Sequence, residues 1–119
     1  EDIVVPPSKI PDTVALINRL ADQYQLIIIL FGHFGDGNIH TNIMVDPDDP
    51  DEMERANIVL NRIFPYVISV NGSISGEHGI GNTKKPFMKY QFGVAELEVF
   101  KGVKKVFDPE NLLNPGKIL

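Results

Sequence analysis

Residues 26–45 read LIIILFGHFGDGNIHTNIMV, and their pattern predicts a β-hairpin. The first part of this segment, residues 26–31, is apolar and rich in β-branched side chains, which predicts a buried strand. Residues 35–38, Gly-Asp-Gly-Asn, are a strong turn signal. Apolar and polar side chains then alternate through residues 39–45, which is typical of the second arm of a β-hairpin.

Helical patterns flank this hairpin on both sides. Apolar residues recur at helical spacing over about residues 9–24, and a short strand at residues 3–5 precedes them. A second helix begins at Asp51 and ends at the Asn-Gly pair of residues 71–72, with a kink expected at Pro65. The order is therefore β-α-β-β-α, which predicts an α+β fold with a small, mostly antiparallel sheet.

The rest of the chain predicts C-terminal helices and a tail. Residues 72–83 are a glycine-rich loop, and a short helix is expected at residues 86–90. A clearer helix spans residues 96–107, followed by an extended tail at residues 112–117. Four apolar side chains of that helix are expected to face inward: Leu97, Phe100, Val103 and Phe107.

Composition excludes several classes of function. The net charge of -5 argues against binding to nucleic acid or to an anionic membrane, since both need basic patches. The absence of cysteine excludes disulfides, Fe–S ligands and a thiol nucleophile within these residues, and is consistent with a cytoplasmic protein. The chain begins at Glu1 without a methionine and strand-like residues follow at once, so we expect a piece of a longer protein.

The histidines of the hairpin suggest a metal site. If Asp36 and Gly37 form a two-residue turn, His33 lies opposite His40, and such cross-strand pairs have Cβ atoms about 5 Å apart. Asn42 lies on the same face, two residues beyond His40. Two imidazoles at that distance can share a metal ion. A longer loop would shift this register, and histidines on a solvated sheet edge remain an alternative.

A second polar pair lies in the glycine-rich loop. Glycines on both sides of Glu77-His78 permit unusual backbone angles and close approach of a ligand. Glu77 is a candidate third ligand, because two histidines and one carboxylate leave coordination positions open, as in catalytic sites. His78, pointing away from its neighbour, is a candidate proton acceptor. A flexible loop with a solvated acid and histidine is the alternative.

Three motifs resemble those of one known family. Residues 32–40 resemble G-H-x-G-D-G-N-x-H, residues 72–81 resemble G-[ST]-[IV]-[ST]-G-E-H-G-I-G, and residues 108–117 resemble D-P-x-x-x-L-N-P-G-K. All three are motifs of the C-terminal domain of FAD-linked oxidases, in the vanillyl-alcohol-oxidase superfamily. This family includes the D-subunit of glycolate oxidase, D-lactate dehydrogenases and D-2-hydroxyglutarate dehydrogenase. The resemblance covers essentially the whole chain, and the fold looks like part of a ferredoxin-like cap domain.

The resemblance implies roles for individual residues. It implies that a divalent metal, usually zinc, is bound by His33, His40 and Glu77. It also implies that Asn42 and His78 contact the substrate and that His78 is the general base. The implied reaction is the oxidation of a 2-hydroxy acid to the 2-oxo acid by hydride transfer to FAD.

The resemblance further implies partners. FAD would be held mainly by an upstream FAD-binding domain of the same chain, with Asn114 near the flavin, and electrons would pass to a separate acceptor or partner subunit. Residues 1–119 would comprise a βαββα portion (1–71) and a portion with the loop, helices and tail (72–119). We expect this chain alone to be inactive, to hold no FAD and to bind metal weakly. An unpaired sheet edge could support a homodimer. The expected location is cytoplasmic, or peripheral to the inner face of the membrane.

Two other functions stay open at this point. One is a ferredoxin-like module that binds a small molecule for regulation without catalysis. The other is a stand-alone metal-dependent hydrolase that uses His33, His40 and Glu77. An FAD domain upstream would favour the oxidoreductase, and metal retention with activity in this chain alone would favour the hydrolase.

Overall fold

The computed structural model describes residues 1–119, which form two compact units, Glu1–His78 and Gly79–Leu119. The first unit contains three strands and two long helices. In chain order these are β1 (Asp2–Val4), α1 (Ile10–Tyr24), β2 (Ile27–Phe31), β3 (Asn38–Met44) and α2 (Pro50–Ser69). The predicted α+β class and the β-α-β-β-α order are therefore confirmed, and the sheet is antiparallel throughout.

The strand β3 lies at the centre of the sheet, in the order β1-β3-β2. Ile3 of β1 pairs with Ile39, and the neighbouring pair joins Asp2 to His40. An additional antiparallel bridge joins Val4 to Ser73, in the loop after α2. This bridge brings that loop alongside β1, close to the point where β3 begins.

The hydrophobic core of the first unit combines sheet and helix residues. The helix α1 contacts both α2 and β2. Asp49 caps α2, because its side chain accepts hydrogen bonds from the backbone N–H groups of Asp51 and Glu52. The most deeply buried apolar side chains of this unit are Ile3, Val5, Ile17, Ile39, Val59, Ile63, Phe64, Val67 and Ile74.

The strand predicted at residues 26–31 is present as β2, but the prediction that it is buried is wrong. The strand β2 alternates, and its side chains at Ile27, Ile29 and Phe31 are 70%, 49% and 50% exposed. Successive side chains of a strand point to opposite faces, and only one face of this strand is covered in the unit. The exposed face is the one that carries His40 and Asn42 on β3.

The predicted two-residue turn is also wrong. The strand β2 ends at Phe31, and Gly32 at φ 148° leads into a longer loop with a 3-10 turn at Phe34–Asp36. Gly37 has φ 80°, and a Cβ there would collide with the carbonyl oxygen of Val5. Since the backbone N–H of Val5 donates to Gly37 O at 3.0 Å, the chain after β1 takes part in setting the path of this loop.

The second unit contains the remaining helices. After a 3-10 turn at Lys85–Phe87 come α3 (Met88–Gln91) and α4 (Val94–Phe107), so both predicted helices are confirmed. The inward orientation predicted for the apolar face of α4 is not found, since Val103 is 54% exposed and Phe107 is 81% exposed. None of the helices combines the length and the apolar character that a bilayer crossing requires.

The tail of the second unit is folded back, which corrects the predicted extended arm. The backbone N–H of Lys117 donates to Asn114 O at 3.2 Å, and Asn114 has φ 48°. The next residue, Ile118, donates its backbone N–H to Gly81 O at 3.0 Å. A turn at the Asn-Pro-Gly sequence therefore reverses the chain, because asparagine and glycine tolerate positive φ.

Candidate metal centre

Three predicted ligands come together in the first unit. His33, His40 and Glu77 each offer one ligand atom, and these atoms all lie within 4.8 Å of one another. Glu77 Oε1 lies 3.1 Å from His40 Nε2 and 3.6 Å from His33 Nε2. The convergence expected from the sequence is therefore present in the structure.

Each ligand comes from a different part of the fold. His40 is on the central strand β3, and its side chain is 9% exposed. His33 stands in the loop after β2, and Glu77 in the loop after α2, and both of these side chains are far more exposed. One ligand is therefore held rigidly by the sheet, while the other two are carried by loops on either side of it.

The two carboxylate–imidazole spacings fit one metal ion. Ligand atoms about 2.0–2.1 Å from a tetrahedral metal lie about 3.4 Å from each other. The two carboxylate–imidazole distances, 3.1 and 3.6 Å, lie on either side of that value. The donor set of two imidazoles and one carboxylate suits zinc and related divalent metals, and leaves further coordination positions open.

The histidines do not meet through the predicted register. Phe31, not His33, is the cross-strand partner of His40, and their ring centroids are 5.0 Å apart. His33 reaches His40 from the loop instead, with ring centroids 5.7 Å apart and the rings nearly perpendicular. The ligands thus converge because the longer loop folds back over the end of the hairpin.

His78 lies beside the three ligands without belonging to them. Its ring is stacked on that of His40, with centroids 4.9 Å apart and an interplanar angle of 18°. Its Nδ1 atom is 3.6 Å from Oδ1 of Asp2. The imidazole is more than half exposed, so a molecule approaching the cluster can reach it.

The other two predicted site residues lie in different places. Asn42 is exposed on β3, opposite Ile29, and shares a face with His40 two residues earlier. Asn114 is an exposed residue at the turn of the second unit. The predicted substrate role of Asn42 and the predicted flavin role of Asn114 remain predictions.

Two polar residues of the site were not found by sequence reasoning. Asn38 donates a hydrogen bond from Nδ2 to Glu77 Oε1, and the carboxylate of Asp2 accepts hydrogen bonds from the backbone of the Glu77 loop. In the sequence, Asn38 stands out only as part of a turn signal. An acid directly before the apolar residues of β1 was the available signal for Asp2, since a charge buried in a strand needs compensating partners.

The fold and this cluster define an α+β unit with a two-histidine, one-carboxylate site. The chain belongs to the family described as FAD linked oxidases, C-terminal domain, whose family model matches residues 1–118. The resemblance inferred from the three motifs is therefore confirmed.

Curated relatives support the same family. The chain is 42% identical over 118 residues to the glycolate oxidase subunit GlcD of Bacillus subtilis, covering 99% of this chain and 25% of the relative. It is 42% identical over 121 residues to the D-2-hydroxyglutarate dehydrogenase of Stutzerimonas stutzeri, covering 98% and 26%. It is 31% identical over 118 residues to the mitochondrial D-lactate dehydrogenase [cytochrome] of Arabidopsis thaliana, covering 99% and 21%. The chain thus spans about a quarter or less of the length of these relatives.

Proposed function

We propose that this chain is the substrate-side and metal-side portion of an FAD-dependent 2-hydroxy-acid dehydrogenase. The observation that carries the proposal is the convergence of His33, His40 and Glu77 on one point, with His78 stacked beside them. The family match favours this function over a regulatory binding module or a stand-alone hydrolase. The names of the relatives share one substrate class, a short acid with a hydroxyl at C2.

The proposed metal role rests on the donor atoms of the cluster. His33 Nε2, His40 Nε2 and Glu77 Oε1 would hold a divalent ion, with zinc as the expected metal. A metal held there supplies Lewis acidity, which makes a nearby hydroxyl easier to deprotonate. The positions that the three ligands leave open are where the hydroxyl and carboxylate oxygens of a 2-hydroxy acid would enter.

His78 is the proposed proton acceptor. Its imidazole is exposed beside the cluster, and it is not one of the three converging ligands. It would take the proton of the C2 hydroxyl while the hydrogen on C2 departs with its electron pair, which leaves a C2 carbonyl. FAD, when bound, supplies the hydride acceptor for this step.

Asn42 is the proposed substrate contact on the sheet. It is exposed on the same face as His40, and its amide offers both donors and an acceptor to a carboxylate or hydroxyl. The exposed apolar side chains of β2 lie on that face as well, so Asn42 is a polar group in a largely apolar surrounding. A polar group in such surroundings is suited to fixing the orientation of a small ligand.

The test uses the full-length protein that contains this chain. Glycolate, D-lactate and D-2-hydroxyglutarate are mixed with it in turn, and bleaching of the flavin absorbance is followed by stopped flow. At least one of these acids should reduce the flavin, and removal of metal by EDTA should abolish the reduction until zinc is restored. Normal reduction in protein shown to be metal-free by elemental analysis would exclude the metal role.

Two variants separate the proposed roles. Glu77→Gln should lose bound metal together with activity, whereas Glu54→Gln, at an exposed position on α2, should retain both. His78→Ala should keep its metal but reduce flavin more slowly, by about 10²–10⁴-fold, the usual range for general acid–base catalysis. An unchanged rate in His78→Ala would show that another group takes the proton.

A further inference from the structure

A fully buried carboxylate lies under the loop that carries Glu77 and His78. Asp2 is in β1, directly opposite His40 on β3, and its side chain is 0% exposed. Burying a charged carboxylate is costly unless hydrogen bonds or opposite charges compensate it. The groups that hydrogen-bond to this carboxylate or lie close to it therefore indicate its role in the structure.

One carboxylate oxygen organises the backbone of the loop. Oδ2 accepts hydrogen bonds from three successive backbone N–H groups, those of Gly76, Glu77 and His78, at 2.7, 2.6 and 3.1 Å. Successive N–H groups that converge on one anion form a concave arrangement, which fixes the backbone angles of the residues involved. The carboxylate of Asp2 thereby sets the direction in which the Glu77 side chain leaves the backbone.

The other carboxylate oxygen faces the imidazole of His78. Oδ1 accepts a hydrogen bond from the Ser75 hydroxyl at 3.3 Å and lies 3.6 Å from His78 Nδ1. The stacking of His78 on His40 constrains the same ring from its face. A carboxylate on that side of a neutral imidazole favours the tautomer with the proton on Nδ1, which leaves Nε2 as the nitrogen that can accept a proton.

We propose that Asp2 is the positioning residue of this site, with two separable effects. Through Oδ2 it holds the backbone so that Glu77 reaches the two histidines. Through Oδ1 it selects the tautomer of His78 in which Nε2 accepts a proton. The catalytic importance of the second effect rests on the proposed function. The tautomer of His78 can be measured without substrate, whatever the function is.

The two effects predict different results for two variants. In Asp2→Asn, the amide oxygen would stay toward the three N–H groups, because they need an acceptor. The new NH₂ group would then face His78 Nδ1 and donate to it, which places the imidazole proton on Nε2. Asp2→Ala removes both effects, and Asp12→Asn, at an exposed position on α1, is the matched control.

The first measurement is the tautomer of His78, read in the full-length protein from ¹⁵N histidine shifts. The wild type and Asp12→Asn should show a protonated Nδ1 and an unprotonated Nε2, and Asp2→Asn should show the reverse. This assay needs no substrate and no turnover, and the wild-type spectrum alone already decides whether Nδ1 carries the proton. A wild-type protein with the proton on Nε2, or an Asp2→Asn spectrum equal to that of the wild type, would overturn the proposal.

The second measurement compares Zn²⁺ affinity with turnover. Asp2→Ala should bind Zn²⁺ about 10–100-fold more weakly, the range found when the supporting partners of a metal ligand are lost. Asp2→Asn should retain most of that affinity while kcat falls by about 10²–10⁴-fold with little change in KM. A purely structural role would lower both together with the melting temperature and would leave the tautomer unchanged. If no 2-hydroxy acid reduces the wild-type flavin, the proposed function fails, but the ¹⁵N and Zn²⁺ measurements still decide the role of Asp2.

Discussion

The side-chain amide of Asn38 donates a hydrogen bond from Nδ2 to Oε1 of Glu77 at 3.2 Å. It joins the first residue of β3 to a loop 39 positions later in the chain. The same carboxylate oxygen lies 3.1 Å from His40 Nε2. Asn38 therefore holds Glu77 Oε1 facing the histidines, at the point where a metal would be bound.

Loss of this hydrogen bond should weaken metal binding. Asn38→Ala removes the donor that orients Glu77, so we expect Zn²⁺ affinity to fall by about 10–100-fold. Isothermal titration of the metal-free full-length protein with Zn²⁺ measures it. Asn57→Ala, at an exposed position on α2, is the control and should bind as the wild type does. Equal affinities in the two variants would show that Glu77 needs no support from Asn38.

A side chain at Gly76 should disturb the same loop. A Cβ added there would lie 2.8 Å from Val4 Cγ2 and 3.0 Å from the amide of Asn38. Gly76→Ala should therefore displace the backbone from the Asp2 carboxylate and lower Zn²⁺ affinity by at least about tenfold. Gly35→Ala is the control, because a Cβ at that glycine meets nothing within 4 Å. Wild-type affinity in Gly76→Ala would mean that the loop can shift without moving Glu77.

The core of the first unit should be sensitive to truncation at Phe64. This side chain is 0% exposed on α2, in the core shared with the sheet. Phe64→Ala should lower the free energy of unfolding by about 3–5 kcal/mol, because it leaves a cavity that the neighbouring side chains fill only in part. Urea denaturation of the full-length protein checks this. Ile58→Ala, at an exposed position on the same helix, should cost far less, and a similar loss in both would contradict the assigned core.

Acid should loosen the end of the second unit. The pKa of Asp108 lies below its usual value, mainly because Lys104 Nζ donates a hydrogen bond to its carboxylate. Burial opposes this shift, and hydrogen bonds from the backbone N–H groups of Leu113 and Leu112 add to it. Because the pKa is lower in the folded protein than in the unfolded chain, this carboxylate contributes stability above the unfolded value of about 3.9. That contribution is lost as the pH falls through the lower folded value.

Two measurements test this pH dependence. An NMR titration should place the Asp108 midpoint below about 3.9. The protection factors of the Leu112 and Leu113 amides, which correct exchange rates for their intrinsic pH dependence, should fall below that pH in the wild type. In Asp108→Asn these protection factors should be low at neutral pH already, whereas Glu110→Gln, at an exposed neighbouring position, should match the wild type. A midpoint at or above the usual value would rule out the stabilising role of Lys104.

The helices were the part of the fold that could be predicted most accurately. The helix expected over about residues 9–24 is α1 at Ile10–Tyr24, and the helix expected from Asp51 is α2 at Pro50–Ser69. Helical periodicity is a local property, because each turn places neighbouring residues of the chain on one face. Residues on one stretch of chain therefore suffice to show it.

The hairpin shows where local reasoning fails. Its turn signal was real, but the loop is longer than two residues, because Gly32 ends β2 early and Gly37 is held against Val5. The register depends on the contact between Gly37 and Val5, which lies directly after β1 and more than thirty positions earlier. For that reason the residue opposite His40 is Phe31 and not His33, as the two-residue turn would have placed it.

The side chains of the candidate site can be read from the sequence, because the residue types and spacings of the three motifs point to His33, His40, Glu77 and His78. The contacts that hold these side chains in place appear only in the folded chain. Asp2 and Asn38 meet the Glu77 loop across separations of 75 and 39 residues, and no local pattern encodes such a contact. The hydrogen-bond partners of a buried charge are brought to it only by folding, so the positioning of this site is a property of the folded unit.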